Sequence, residues 1–236
     1  MTTPVDLRLP IFPEAFTAPV LSAEILAIGT ELTQGLIVNS NAAWLCAQLL
    51  ALGVPVHAYS TVADHLDLAT DELLRSSRRA DLVIVTGGLG PTRDDLTREV
   101  LARAAGVSLV LDQPSLDHIA EMFAKRIQRP MTDNNRRQAL IPRGALPLFN
   151  PIGTAPGIAC LVGKARVFAF PGVPRELFAM FPHVSAFLSH VDTPPGAIAV
   201  RKLHCFGTGE SDIDRRVADL MDPHDNPFTA ITISRP

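Results

Sequence analysis

From residue 24 onward, short uninterrupted apolar runs alternate with longer segments whose apolar residues recur at helical spacing. Glu24-Ile25-Leu26-Ala27-Ile28 is stopped by Gly29, the pattern of a strand buried on both faces. Asn39-Ser40-Asn41 offers capping oxygens ahead of a helix over residues 42–52, which Gly53 closes. Residues 54–62 read as a second strand, and residues 67–79 as a second helix with Leu68, Leu73 and Leu74 on its apolar positions. Leu82-Val83-Ile84-Val85 is the clearest buried strand and runs into Thr86-Gly87-Gly88. A helix is expected from about Asp94, carrying Leu96, Val100, Leu101 and Ala104 at helical spacing before Gly106. Further helical segments are expected over 115–128 and 134–139, and short strands over 146–148, 158–162 and 167–170. After Pro171-Gly172 a helix is expected over 174–188, with Pro174 in its first turn.

This alternation implies right-handed crossovers and an α/β fold whose mostly parallel sheet is covered on both faces. Ligands of such folds bind beyond the carboxyl ends of the strands. The three most polar loops all follow expected strands: Gly29-Thr30-Glu31, Val62-Ala63-Asp64 and the glycine loop after Val85. Residues 1–22, with Pro4, Pro10, Pro13 and Pro19, read as an irregular arm ahead of a domain over 23–190. Past Asp192 the texture changes. Thr193-Pro194-Pro195-Gly196 reads as a linker, followed by a strand over 198–206, a helix over 210–221 and a final strand with nothing to pair against. A region of this size, 197–236, is marginal as an independent fold.

The 47% apolar content supports a sizeable core, and the formal net charge of −3 gives no broad attraction to nucleic acid or anionic lipid. The expected partner is therefore a small molecule, and phosphate recognition must be local. Cys46, Cys160 and Cys205 are widely spaced, and neither they nor the seven histidines fall at metal-ligand spacing. No apolar stretch approaches the ~20 residues of a membrane span, and the N-terminus lacks a signal pattern. The chain reads as cytoplasmic.

Gly87, Gly88 and Gly90 let backbone amides approach a ligand closely, and the loop opens a helix whose free N–H groups and dipole favour an anion. Thr92 adds a hydroxyl and Arg93 a charge. A tight strand-to-helix turn capped by Asp94 or Asp95 accounts for part of this pattern, but not for three glycines in four residues. The loop is neither a Walker sequence nor a dinucleotide fingerprint, so the ligand stays open. Glu31, Asp64 and Asp95 each lie just past a strand end. Three converging carboxylates would repel one another unless a cation or ligand separated them, as magnesium does beside phosphates; spacing alone favours the plainer alternative, in which each is a separate surface acid or cap. Asn134-Asn135 with Gln138, residues 150–157, and residues 170–176 combine turn formers with amide groups suited to a ribose, base or pterin.

Together Gly29-Thr30-Glu31-Leu32, Gln34-Gly35 to Asn39 and Asn41, Thr86-Gly87-Gly88-Leu89-Gly90-Pro91-Thr92 with Asp94-Asp95-Leu96-Thr97, Gly153-Thr154-Ala155-Pro156-Gly157 and Pro171-Gly172-Val173-Pro174 resemble the N-terminal portion of the competence/damage-inducible CinA family. That portion belongs to the MoaB/Mog superfamily of molybdenum-cofactor biosynthesis. The resemblance covers about residues 24–188 and continues weakly through Phe206-Gly207-Thr208-Gly209-Glu210-Ser211. It implies a three-layer α/β/α domain followed by a small α+β KH-like region, here incomplete. It also implies that Glu31, Asp64 and Asp95 form a catalytic site working with a divalent cation (Mg, Mn or Co), and that the activity is that of an ADP-ribose pyrophosphatase. With it, the expected ligand-binding set is Thr30, Asn39, Asn41, Gly87, Gly88, Gly90, Thr92, Arg93, Asn135, Thr154, Gly172 and Pro174. Two alternatives stand beside hydrolysis: molybdopterin handling, against which Leu89 in place of the relatives' usual Thr tilts slightly, and non-catalytic nucleotide sensing. The family's C-terminal deamidase domain is absent from this sequence. The KH-like region lacks a basic Gly-X-X-Gly clamp, so nucleic acid is not expected as a partner. A homo-oligomer, favoured as a dimer, is expected.

Overall fold

A computed structural model of the chain describes residues 12–194, 203–220 and 231. The chain divides into two compact units, Met1–Ile198 and Ala199–Pro236. In the first, strands β1 (Ala23–Ile28), β2 (Val56–Val62) and β3 (Leu82–Thr86) alternate with helices α1 (Thr30–Thr33), α2 (Ser40–Ala51) and α3 (Leu66–Arg79). Next come α4 (Thr97–Ala105), β4 (Leu109–Leu111), α5 (Gln113–Met122), the short α6 (Asp133–Arg136) and β5 (Leu140–Pro142). The unit ends with β6 (Leu146–Leu148), β7 (Gly157–Val162), β8 (Ala165–Phe170), α7 (Pro174–Met180) and α8 (Pro182–Leu188).

The main sheet has the order β2-β1-β3-β8-β7-β6. The four strands from β2 to β8 run parallel, and β7 and β6 are antiparallel additions. β4 and β5 pair antiparallel in a separate ladder that no local pattern announced. Successive residues of β1 face opposite layers. Ile25 packs with Leu45, Leu49 and Phe187 from α2 and α8, whereas Leu26 packs with Leu73, Val100 and Leu101 from α3 and α4. The result is the expected three-layer α/β/α arrangement with a core on each side of a sheet whose central strands are buried throughout.

Several boundaries differ from those expected, each for a local reason. α2 starts where Asn39 accepts a bond from the Ala42 amide (3.0 Å). The helix expected over 174–188 is two helices, because Pro182 cannot donate to the preceding turn. α4 begins at Thr97 rather than near Asp94, because residues 90–95 are bound into a closed loop described below. The described part of the Pro-rich arm is no free segment. Phe16 and Val20 are buried in the core, with Phe12 5.1 Å from the Phe187 ring. Its carbonyls at Ala18 and Pro19 accept from the buried Arg166 guanidinium (2.9 and 2.5 Å). Asp81 meanwhile accepts from the Leu21 and Ser22 amides (2.9 and 3.2 Å).

Within the second unit, α9 (Glu210–Val217) matches the expected helix and extends as a 3-10 turn to Leu220. Residues 203–206 carry no regular structure. The rest of the expected 198–206 strand and the terminal strand, apart from Ile231, lie outside the described residues. No helix among the described residues is long and apolar enough to cross a membrane.

Candidate functional site

Because β2, β1, β3 and β8 run parallel, their carboxyl ends share one edge. The loops leaving them enclose a cleft of about 470 Å³. Glu31, Asn39, Asn41, Asp64, Gly87, Gly88, Gly90, Asp95, Thr154, Gly172 and Pro174, all expected from the sequence, line it. Thr30, Thr92, Arg93 and Asn135 do not. The side chains of Thr30, Thr92 and Asn135 are occupied locally, and Arg93 is exposed.

The first two loops are tied to each other. Asp64 Oδ2 accepts from the Thr30 amide (2.7 Å), and Thr30 Oγ1 accepts from the Asp64 amide (3.1 Å). This reciprocal pair fixes the Asp64 carboxylate at the wall of the cleft, which Glu31 also lines. Asn41 ties the loops after β3 and β8 together, donating to Thr86 Oγ1 (3.1 Å) and to the Gly172 carbonyl (2.8 Å). Asn150 does similar work in the Gly-Thr-Ala-Pro-Gly segment. It donates to the Ala155 carbonyl (2.9 Å) and Glu176 (2.7 Å), and accepts from the Gly153 amide (2.8 Å).

The glycine loop can be followed group by group. Gly87 and Gly88 have φ of 101° and 63°, the region that favours glycine. The Gly87 amide donates to the Phe170 carbonyl (3.0 Å). The Gly87 carbonyl accepts from Thr97 Oγ1 (2.7 Å), and the Gly88 carbonyl from the Thr97 amide (3.1 Å). The Leu89 and Gly90 carbonyls both accept from the Arg98 guanidinium, and the Thr92 carbonyl accepts from Arg137 (3.0 Å). Asp95 closes the loop by accepting from the Gly90 amide (2.8 Å), the Thr92 amide (2.7 Å) and the Thr92 hydroxyl (2.6 Å). The amides of Gly88 and Leu89 donate to no group among the described residues. In a trans peptide the N–H points opposite to the carbonyl of the preceding residue. These two N–H groups therefore point away from Thr97, which holds the Gly87 and Gly88 carbonyls. Adjacent free amides at positive-φ glycines form a concavity that suits an anion.

The charge lining the cleft has the opposite sign. Glu31, Asp64, Asp94, Asp95 and Glu176 all line it, and no basic side chain does so among the described residues. The Thr92 hydroxyl holds the Asp94 carboxyl below the usual carboxylate range. Among the described residues no three His, Cys, Asp or Glu side chains are grouped closely enough to hold a metal ion by themselves. Asp95 in particular has both oxygens engaged by the loop. Glu31 and Asp64 line the cleft from neighbouring loops, and carboxylate oxygens are the donor type that magnesium or manganese takes.

The family model described as "Probable molybdopterin binding domain" matches residues 24–190. The competence-damage inducible protein of Geobacillus kaustophilus is 42% identical over 211 residues, covering 89% of this chain and 51% of that protein. Its counterpart in Moorella thermoacetica is 43% identical over 215 residues, with 89% and 50% covered. The solved structure of CinA from Thermoplasma acidophilum is 34% identical with a TM-score of 0.67, covering 72% of this chain and 98% of that one. The chain belongs to the CinA family. The Mog protein of Mycobacterium ulcerans, 17% identical with a TM-score of 0.50, shares the fold. The chain spans about half the length of the curated relatives it matches.

Sequence reasoning passed over several residues of this CinA-family site. Gln138 and Glu176 line the cleft and were seen only as parts of turn- and amide-rich segments. Ile37 and Val38, 55% and 87% exposed, form an apolar lip that hydropathy alone did not mark. Arg98 is the most consequential omission. It is 1% exposed, and its spacing of three residues before the buried Leu101 was the available signal for the inner face of α4. Burial pushes its pKa down to about 10, so it remains a cation at neutral pH.

Proposed function

We propose that the cleft binds a nucleotide diphosphate of the ADP-ribose type together with a divalent cation and hydrolyses its pyrophosphate bond. The observation that carries this reading is the pairing of two unengaged backbone amides with an otherwise acidic lining. A phosphate could not settle against several carboxylates unless a cation came with it. Magnesium is commonly held by one or two carboxylates plus the substrate's own phosphates, so a complete protein cage is not required beforehand. A divalent cation there would neutralise charge between phosphate and carboxylate and polarise a phosphoryl oxygen. The chain's own residues do the rest. Glu31 and Asp64 hold the cation, the Thr30 amide orients Asp64, and the Gly88 and Leu89 amides seat the diphosphate. A carboxylate oxygen of Glu31 or Asp64 takes the proton of the attacking water as a new O–P bond forms and the bridging P–O bond breaks, and the phosphate that keeps the bridging oxygen departs as an anion.

The test is AMP release from ADP-ribose with and without magnesium, manganese or cobalt. Asp64→Asn and Glu31→Gln are expected to lower the rate by about a hundredfold or more while leaving the protein folded. Full activity in Asp64→Asn, or no AMP with any of the three metals, rejects hydrolysis. Tight ADP-ribose binding without turnover supports the sensing role instead. Molybdopterin binding is a second reading, favoured by the description of the matching family model. Binding of molybdopterin without measurable ADP-ribose binding would select it.

A further inference from the structure

The glycine loop raises a question of charge balance. A diphosphate seated on the Gly88 and Leu89 amides would face an acidic cleft with no basic side chain lining it among the described residues. A cation nevertheless stands directly behind that loop. Arg98 is buried, and no carboxylate lies within ion-pair distance of it among the described residues. Its bonds go to the Leu89 and Gly90 carbonyls, and its Nε has no partner. Keeping a guanidinium in such a place is costly unless nearby charge offsets it. Asp95 and Glu99 act on it through space, while Arg137 opposes them. Both of those acids have other duties. Asp95 is committed to the loop amides, and Glu99 pairs with Arg137 at 3.0 Å.

We propose that Arg98 is the cation of the anion subsite and its positioning residue, acting through the loop without touching the ligand. Its planar fork draws the Leu89 and Gly90 carbonyls inward, so no carbonyl dipole of that stretch points at a bound anion. Its positive charge then reaches the ligand across one layer of backbone. Thr97 does the companion work for the Gly87 and Gly88 carbonyls. Arg93, the basic residue that sequence reasoning put in this role, is exposed and off the cleft. The proposal rests on reading the cleft as a diphosphate site.

The experiment measures binding of inorganic pyrophosphate with magnesium, and of uncharged adenosine, by calorimetry. The proteins are the wild type, Arg98→Met, Arg98→Lys and Arg93→Gln, each confirmed folded by its amide NMR spectrum. Arg98→Met is expected to lose about tenfold or more in pyrophosphate affinity, the scale of one unit charge acting through a loop at moderate dielectric. Its adenosine binding is expected to stay within about twofold, because a neutral ligand does not sense the charge. Arg98→Lys keeps the charge and is expected within about threefold of wild type for pyrophosphate; it decides the matter should the methionine variant not fold. Equal losses for both ligands would reduce Arg98 to a structural residue and overturn the proposal. So would an unchanged pyrophosphate affinity in Arg98→Met, a loss in Arg98→Lys beyond tenfold, or a greater loss from Arg93→Gln. If wild type binds neither pyrophosphate nor ADP-ribose, the diphosphate reading itself fails, and that is visible before any variant is made.

Discussion

Asp95 offers the sharpest separation of structure from chemistry, because both oxygens of its carboxylate are bound by the loop that carries it. Oδ1 accepts from the Gly90 amide at 2.8 Å, and Oδ2 accepts from the Thr92 amide at 2.7 Å. In Asp95→Asn one oxygen becomes an NH2 group, so one of those two amides must face a donor in either rotamer. The other keeps an oxygen but loses its charge-assisted character. Bonds to charged groups contribute about 1.5–3 kcal/mol each, and about half of one such pair survives here. Asp95 is half-buried, which reduces the loss further, and about 2 kcal/mol is expected. For a chain of this size each kcal/mol corresponds to about 2–4 °C, so Tm should fall by about 4–8 °C. Differential scanning calorimetry reads the shift, and amide exchange at Gly90 and Thr92 should rise in parallel. Asp94→Asn serves as the comparison, since Asp94 is exposed and its carboxylate meets the Thr92 hydroxyl and its own backbone amide rather than the amides that close the loop; its Tm should barely move. An unchanged Tm in Asp95→Asn together with lost AMP release would refute this account. Asp95 would then be a chemical group rather than the clasp of the loop.

Three further outcomes are expected. Gly88→Ala must hold φ near 63° and drive a Cβ into Thr97 Oγ1, the hydroxyl that holds the Gly87 carbonyl, so a loss of about 2 kcal/mol or more is expected in urea unfolding, with weaker pyrophosphate binding. His183 is buried and neutral, with Nε2 2.9 Å from the Phe149 carbonyl and its pKa lowered by desolvation. The unfolded chain therefore takes up its proton first. The contribution is complete above about pH 6.5 and declines as pH falls toward the folded pKa, so stability should drop between pH 7.5 and 5.5, less so in His183→Gln. Arg166→Met should free the Ala18 and Pro19 carbonyls and raise amide exchange at Val20 and Leu21, while ligand binding stays intact. Protection of those amides at the wild-type level would mean that Phe12 and Phe16 hold the segment without the guanidinium.

The elements legible in the sequence are those whose signal is local. β1, β3 and β8 are parallel strands buried on both faces, so apart from Glu24, Thr86 and Arg166 at or near their ends their residues are apolar, and the strands stop at glycine or proline. The start of α2 is written in Asn39, because a cap needs only the amide three residues on. The β4–β5 ladder left no comparable mark. Each strand is three residues long, and its partner lies some thirty residues away along the chain. The chemistry divides in the same way. That Glu31, Asp64 and the glycine loop follow strand ends is a property of sequence order, and it suffices to bring them to one edge once the strands are parallel. Which of those acids face the cleft with an oxygen to spare depends on how each loop closes. Asp95 spends its carboxylate on Gly90 and Thr92, while Asp64 is held at the wall by Thr30. A charged residue on a helix ordinarily reads as solvated, and only the packing of α4 under the loop turned Arg98 inward to the Leu89 and Gly90 carbonyls. Order along the chain thus determined which groups meet, and the three-dimensional accounting of every donor and acceptor decided what each is free to do.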